Sequence, residues 1–346
     1  MANEQTHFGS DNHSGIHPKI LESIADVNFG HAPSYGSDDY TQSVTEKMKL
    51  LFSKDAEVYF VFNGTAANVL SLSCFANSYH AVLTASTAHL WVDECGAPEK
   101  LIGCKLIATE SHDGKVNLSE LSNLLVRRGD QHSSQVVGIS ITQPTEYGTV
   151  YSLEELKAIH EFAALHSLYL HMDGSRLVNA ATHLGVSLHD LTKHVDVLSL
   201  GGTKNGLLFG EAVVILNKSL AKDFKFKRKQ FMQLASKTRF VAAQFDAWLC
   251  TSLWKEISQH SLKMAQKLRM LLLEIPEIKV TQPTQSNVVF ATFPRAIVHE
   301  LKKHHFFYIW NEKTFEARLM MSFDSREIDI ENFVIKIKEV LGSKLK

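Results

Sequence analysis

Cysteine and proline are scarce in this chain of 346 residues, with four of the first and seven of the second. Cys74, Cys95, Cys104 and Cys250 show no C-x-x-C spacing and sit within or beside apolar or small-residue stretches. No disulfide framework is expected, only reduced thiols in a cytoplasmic protein. Charge of one sign is also missing. Lys plus Arg number 36 against 37 Asp plus Glu, a formal charge of -1, so no global positive field gathers nucleic acid or anionic lipid. No uninterrupted apolar run reaches the ~18 residues of a membrane helix. The opening MANEQTHFGSDNHSG lacks a basic stretch followed by an apolar one, so no signal peptide is expected. Repeats, low-complexity tracts and Pro/Ser-rich linkers are absent too.

What is present is 45% hydrophobic residues and 21% charged, enough to bury a sizeable core. That length fits about two domains at ~150 residues each. From about residue 57 onward, short apolar runs alternate with segments of helical period, the pattern of crossover units in a parallel sheet. Strands are predicted at Val58–Phe62, Ala81–Ala85, Lys105–Ala108, Val136–Thr142, Leu168–Met172, Val195–Leu200 and Glu211–Leu216, each rich in β-branched or aromatic residues. Ser152-Leu-Glu-Glu155 reads as a capping box opening a helix to about His166. Lys225–Lys229 reads as a short basic helix face. One long helical segment is predicted over Arg239–Ile275, ending at Pro276. Strands at Val288–Phe293, Phe306–Trp310 and Ala317–Phe323, with helices near 295–304 and 329–341, then form a smaller α/β unit. The resulting division is 1–245 for a large domain and 246–346 for a small one.

The sharpest local signal is Leu198-Ser-Leu-Gly-Gly-Thr-Lys-Asn-Gly206, an apolar strand that runs into glycines and one lysine, Lys204. In open α/β sheets ligands sit beyond the carboxyl ends of strands, and a lysine in a partly apolar crevice there can lose its proton and attack a carbonyl. The ordinary alternative is a solvated loop lysine. A second strand, in Leu168-Tyr-Leu-His-Met-Asp-Gly-Ser-Arg176, ends in Asp173. Pyridoxal phosphate chemistry needs this pair: a lysine to hold the aldehyde as a Schiff base and a carboxylate to keep the ring nitrogen protonated. Phe60-Val-Phe-Asn-Gly-Thr-Ala-Ala-Asn68 adds a strand, a turn at Asn63, Gly64 and Thr65, and a helix start whose free N–H groups suit a phosphate. Asn63 or Thr65 as a plain helix cap is the competing reading.

SDNHSGIHP at 10–18, NGTAAN at 63–68, AHLWVDECGAPEKL at 88–101, TQPTEYGTVY at 142–151, HMDGSR at 171–176, GGTKNG at 201–206 and ARLMMSFDS at 317–325 occur in collinear order over nearly the whole chain. This combination resembles the L-threonine aldolases and related aromatic amino acid β-eliminating lyases. The resemblance implies the aspartate-aminotransferase-like fold of fold type I. That fold has a large pyridoxal phosphate-binding domain built on a mainly parallel seven-stranded sheet, with a small C-terminal α/β domain. It also implies a homo-oligomer, a dimer of dimers with active sites shared between subunits. The cofactor implied is pyridoxal 5'-phosphate, with no metal. The reaction implied is aldol cleavage of L-threonine, L-allo-threonine and related β-hydroxy-α-amino acids to glycine and an aldehyde.

Carried over residue by residue, the resemblance makes Lys204 the Schiff-base lysine and Asp173 the partner of the ring nitrogen. Asn63, Gly64 and Thr65 become the phosphate cup, His89 the group stacked on the ring, and Arg176 and Thr203 further cofactor contacts. Ser10, Arg176 and Arg318 become the clamp on the substrate carboxylate, where a planar guanidinium grips both oxygens. His89 can also move a proton at the β-hydroxyl. Glu94, Tyr35 and Asp38 are further family-like positions near the site, with Tyr35 open to reading as a turn residue. A strand-edge charge at Arg318 and an Arg176–Asp173 salt bridge stay open as structural alternatives.

Two departures stand out, because Met321-Ser322-Phe323 replaces a T-H pair and Thr203-Lys204-Asn205 replaces S-K-G. They leave side-chain and erythro/threo preference open. The rival enzyme reading is β-elimination from an aromatic or hydroxylated amino acid. A histidine-rich metal-binding or scaffold protein, using His304 and His305 or His13 and His17, would be a different class.

Overall fold

The computed structural model describes residues 7–344, so the first six residues of the opening segment read above lie outside the described residues. Seven strands form the larger sheet: β1 Glu57–Val61, β2 His80–Ala85, β3 Lys105–Thr109, β4 Gln135–Thr142, β5 Tyr169–Gly174, β6 Val197–Gly201 and β7 Glu211–Ile215. Their spatial order is β1-β7-β6-β5-β4-β2-β3. Only β7 runs against the rest. The predicted α/β sheet is therefore present, with all seven strands at the expected places.

β6 and β7 are buried along their whole length, as expected for strands covered by helices on both faces. Because β1, β2, β4, β5 and β6 are parallel, the turns that follow them open at one edge of the sheet. β7 begins at that same edge, with Glu211 paired to Gly201 and Val61. The Ser152–Glu155 capping box forms as the sequence predicts, and the basic stretch lies on the helix Phe224–Gln230.

A second, antiparallel sheet has the order β10-β11-β9-β8, with β8 Lys279–Val280, β9 Val288–Thr292, β10 Tyr308–Asn311 and β11 Glu316–Met320. A register shift between Ile309 and Asn311 leaves Trp310 out of the ladder, the bend a bulge imposes. The core under this sheet joins Leu268, Leu272, Phe293, Phe307 and Phe333 to Phe8. The chain's start is sewn into this unit. The Phe8 N–H donates to Phe306 O at 2.9 Å, and the Met320 N–H donates to Phe8 O at 2.8 Å. Ser10 and Asp11 are thereby delivered to the edge where the large-sheet turns open.

The single long helix predicted over 239–275 is not what forms. A helix Thr238–Phe245 passes into a π-turn Asp246–Cys250, and a new helix, Leu253–Leu273, starts after Ser252 at φ 64°. The apolar spacing runs through the break without a glycine or proline to mark it, so periodicity alone reads continuity. The later helix spans both cores: Leu253, Trp254 and Ile257 pack under the large sheet, and Met264 to Leu272 under the small one.

All four cysteines are free thiols, with Cys95 exposed. Among the described residues no helix is long and apolar enough to cross a membrane.

Candidate active site

Lys204 sits on a one-turn helix, Thr203–Asn205, directly after β6. The turn lies tight on the loop after β5. A Cβ at Gly201 would come within 2.3 Å of Ser175 O, so only glycine permits this approach. Asn205 closes the contact by donating to Ser175 O at 3.2 Å and to Gly201 O at 2.9 Å. Lys204 itself is partly buried. Burial and the neighbouring Arg176 pull its ammonium below the ordinary lysine value, against Asp11 and Asp173, which eases loss of its proton.

Asp173, at the end of β5, is 5% exposed. Its Oδ2 accepts from Asn68 Nδ2 at 2.8 Å and its Oδ1 from the Ser175 N–H at 2.9 Å. Burial alone would raise it, but Lys204, Asn68, His89 and the Ser175 N–H outweigh burial and keep it below the usual carboxylate range. Asp173 is thus a fixed anion. Beneath it on the same strand face, His171 bonds Ser140 Oγ at 2.9 Å and Ser199 Oγ at 3.0 Å. Burial lowers His171 to about 4, so it stays neutral at physiological pH.

The Asn68 amide also donates to Glu94 Oε1 at 2.7 Å, and Glu94 Oε1 meets His89 Nδ1 at 3.0 Å. Asp173, Asn68, Glu94 and His89 therefore form one network that fixes the imidazole beyond β2. The Glu94 hydrogen bond raises His89 above its ordinary value, and burial raises Glu94. Between His89, Asp173 and Lys204 lies a narrow slot also bounded by Gly64, Ser199 and Glu211. Asn63 Oδ1 accepts from the Ala66 N–H at 2.9 Å. It caps the helix Gly64–Ser73, as the competing reading allowed, and leaves its amide N–H groups uncommitted. A Cβ at Gly64 would meet nothing within 4 Å, so space lies open over the helix start. Thr65 opens the same helix. Thr203 Oγ1 accepts from the Gly210 N–H at 3.2 Å.

A second cavity, of about 130 Å³, adjoins the slot and shares His89, Ser175 and Lys204 with it. Ser10, Arg176 and Arg318 line it, together with Thr142, Glu146 and Trp310. The three clamp residues named from the sequence are thus brought together. Arg176 does pair with an aspartate, but the aspartate is Asp11 and not Asp173: Nε and Nη2 donate to its two oxygens at 2.6 and 2.8 Å. Arg318 donates through Nη2 to Gly9 O at 3.3 Å and lies 5.0 Å from the Trp310 ring centroid. Its Nε is buried without a partner, so it is no strand-edge surface charge. Burial and the nearby Arg176 both lower its value. Two guanidiniums that repel each other across a small cavity attract a carboxylate between them. Ser10 Oγ accepts from the Asn12 N–H at 3.2 Å, and its hydroxyl proton stays available.

Tyr35 and Asp38 lie outside both cavities. Tyr35 is an exposed turn residue at φ 63°, and Asp38 caps the helix Asp39–Phe52 by accepting from the Thr41 N–H at 2.8 Å. A larger cavity of about 680 Å³ beside that helix offers no lysine and no strand-end pair, so it lacks the chemistry of the slot. Among the described residues no three His, Cys, Asp or Glu side chains are placed to hold a metal ion. His17 instead caps the helix Pro18–Asp26.

The sequence reading did not single out Asp11, Asn68, Glu146, His171 or Glu211. Four of them stand inside quoted motifs, and His171 could have been found from the two-residue spacing that places it on the strand face of Asp173. Glu211 follows a glycine at a strand start and carried no signal. Its carboxylate accepts from the Gly202 N–H at 2.6 Å, and burial pushes it up to about 7.

The model of the β-eliminating lyase family matches residues 7–293. The chain is 38% identical to the low specificity L-threonine aldolases of a Pseudomonas species and of Pseudomonas aeruginosa, over 99% of its own length and 100% of theirs. A solved threonine aldolase of Leishmania major superposes with a TM-score of 0.91 at 30% identity, covering 96% of this chain and 99% of that one. A putative L-allo-threonine aldolase of Listeria monocytogenes shares the fold at 16% identity, with a TM-score of 0.76 over 93% of both chains.

Proposed function

The chain belongs to the β-eliminating lyase family, and from that membership we propose that it is a pyridoxal phosphate-dependent aldolase. It cleaves L-threonine, L-allo-threonine and related β-hydroxy-α-amino acids to glycine and an aldehyde. The observation that carries this reading is the pairing of two cavities at Lys204: a slot ending in the Asp173 anion, and a pocket faced by Arg176 and Arg318.

The residues present fit the cofactor. Lys204, with its proton loosened by burial, would anchor its aldehyde. Asp173, held anionic by Asn68 and the Ser175 N–H, would pair with the ring nitrogen. His89, braced by Glu94, would cover the ring face, and the open space at Gly64 with the helix N–H groups, Asn63 and Thr65 would take the phosphate. When bound, the group supplies an electron sink for the pair released as the Cα–Cβ bond breaks.

The rest is the chain's own work. Arg176 and Arg318, with Ser10, hold the substrate carboxylate from one side. With the carboxylate held there, the amino group is left facing Lys204. With both ends fixed, rotation about Cα is stopped, so that one bond at Cα is presented for cleavage in preference to loss of the α-proton. The four free thiols suit a cytoplasmic setting. Exposed Phe29, Leu208, Phe209 and Met232 support association with further copies of the chain.

The test is product analysis of the purified enzyme with L-threonine, L-allo-threonine and L-tyrosine. Equal release of glycine and acetaldehyde from the first two supports the reading. Release of ammonia and a keto acid without glycine moves the assignment to β-elimination.

A further inference from the structure

Glu146 stands at the tip of a braced turn after β4. Gln143 Nε2 donates to Tyr151 O at 3.0 Å, and the Tyr151 N–H returns a bond to Gln143 Oε1 at 2.9 Å. The Thr145 N–H donates to Thr149 O at 2.9 Å, and both threonine hydroxyls reach Asp113 O, at 3.1 and 2.5 Å. Gly148, at φ 75°, lies so close to β9 that a Cβ would fall 2.3 Å from Val288 Cγ1. Tyr147 packs on Phe290 and Trp310, with centroids 5.3 and 5.9 Å away. The turn is rigid, and so is the carboxyl it presents.

Glu146 Oε1 accepts from the His89 N–H at 2.7 Å, while Oε2 is buried with no partner at hydrogen-bond distance. A buried acceptor in that state calls for a donor from a ligand. The residue lines the 130 Å³ cavity of the carboxylate clamp. With the substrate's amino group at Lys204 and its carboxylate at Arg176 and Arg318, the β-substituent is left with the wall formed by His89, Thr142 and Glu146. The His89 ring already spends Nδ1 on Glu94.

We propose that Glu146 is the catalytic residue that takes the proton from the substrate's β-hydroxyl. The proposal rests on the aldolase reading above. In the cleavage direction the O–H bond breaks and its proton passes to a Glu146 oxygen. The O–H electrons become the second bond of the aldehyde carbonyl, the Cα–Cβ bond breaks, and its electron pair stays with the glycine fragment. In the synthetic direction the same proton returns to the new hydroxyl.

Burial, with Asp173 nearby, pushes Glu146 up to about 7, against the His89 N–H. Its carboxylate form therefore grows as pH rises through neutrality, the range in which a general base is effective. Around it, Lys204, Arg176 and Arg318 favour the carboxylate, Asp93 and Asp173 oppose it, and Tyr151 supplies no charge at these pH values.

The test compares holoenzyme of wild type, Glu146→Gln and Glu146→Asp. It follows acetaldehyde release from L-threonine between pH 5.5 and 9.5, and exchange of the glycine α-proton into deuterated water by NMR. Glycine has no hydroxyl, so its exchange needs the clamp and Lys204 but not Glu146. Glutamine keeps the acceptor for the His89 N–H. Expected is a fall in threonine kcat of about 100-fold or more in Glu146→Gln. The rising limb near neutrality is lost, glycine exchange stays within about threefold of wild type, and Glu146→Asp recovers part of the rate. Threonine cleavage in Glu146→Gln with the wild-type rate and limb overturns the proposal. So does a parallel loss of glycine exchange, which marks a structural role through His89. Wild type that exchanges glycine yet releases no acetaldehyde contradicts the aldolase reading itself.

Discussion

Asp11 clasps the Nε and Nη2 edge of Arg176 with hydrogen bonds of 2.6 and 2.8 Å, so the guanidinium is held at one edge and offers Nη1 to the cavity. Asn287 Nδ2 donates to the same carboxylate at 3.1 Å. Burial raises Asp11, but Arg176, Lys204 and Asn287 outweigh it and hold the carboxyl below its ordinary value. Arg176 is therefore held in place before any ligand enters the cavity it lines.

Replacing Asp11 by alanine leaves a buried arginine unpaired, a change that costs about 3 kcal/mol in folded stability. Asp11→Ala is expected to lower the denaturant midpoint and to raise KM for L-threonine. Asp11→Asn, which keeps one acceptor, is expected to fall between. Titration of each variant with denaturant, followed by initial-rate kinetics, checks both.

Glu211 is raised by burial to about 7. A carboxyl raised above its unfolded value binds an extra proton in the folded state. Its contribution is least unfavourable below about 4.5 and worsens as pH climbs through about 7. Glu211→Gln keeps an acceptor for the Gly202 N–H and removes that dependence. Its Tm in the cofactor-free protein is expected to exceed the wild-type value at pH 8, with the gap closing by pH 5. Thermal melts at the two pH values decide the sign.

Two glycines should differ in stability while both lose cofactor affinity. Gly64→Ala places a methyl in open space, so the apo protein should melt like wild type while its affinity for the phosphate-bearing cofactor falls. Gly201→Ala drives the β6 end off Ser175, so both stability and cofactor binding should fall. Melting curves and equilibrium dialysis of the cofactor separate the two.

The large sheet was legible because each strand is a short run of β-branched and aromatic residues, and helical spacing fills the gaps between them. Lys204 and Asp173 were legible for the same reason, each being a polar residue where an apolar run stops. The break at Ser252 was not, since a π-turn leaves the apolar spacing unbroken. Arg176 shows a different limit. The only ionic partner weighed for it from the sequence was the nearby Asp173, as a structural alternative to the substrate clamp, whereas Asp11, 165 positions away, fills that role. A partner carried in by the N-terminal segment leaves no trace in local spacing. Glu146 was hidden likewise, because its burial depends on the docking of Tyr147 against a sheet formed far later in the chain.

The most direct measurement is the visible absorbance of purified wild type and Lys204→Ala after pyridoxal phosphate is added, followed by an assay of both with L-threonine. Wild type is expected to show a visible band, abolished by borohydride and absent from Lys204→Ala, and to be alone in releasing equimolar glycine and acetaldehyde. A band of equal strength in Lys204→Ala, or cleavage of threonine by that variant at the wild-type rate, would contradict the role given to Lys204.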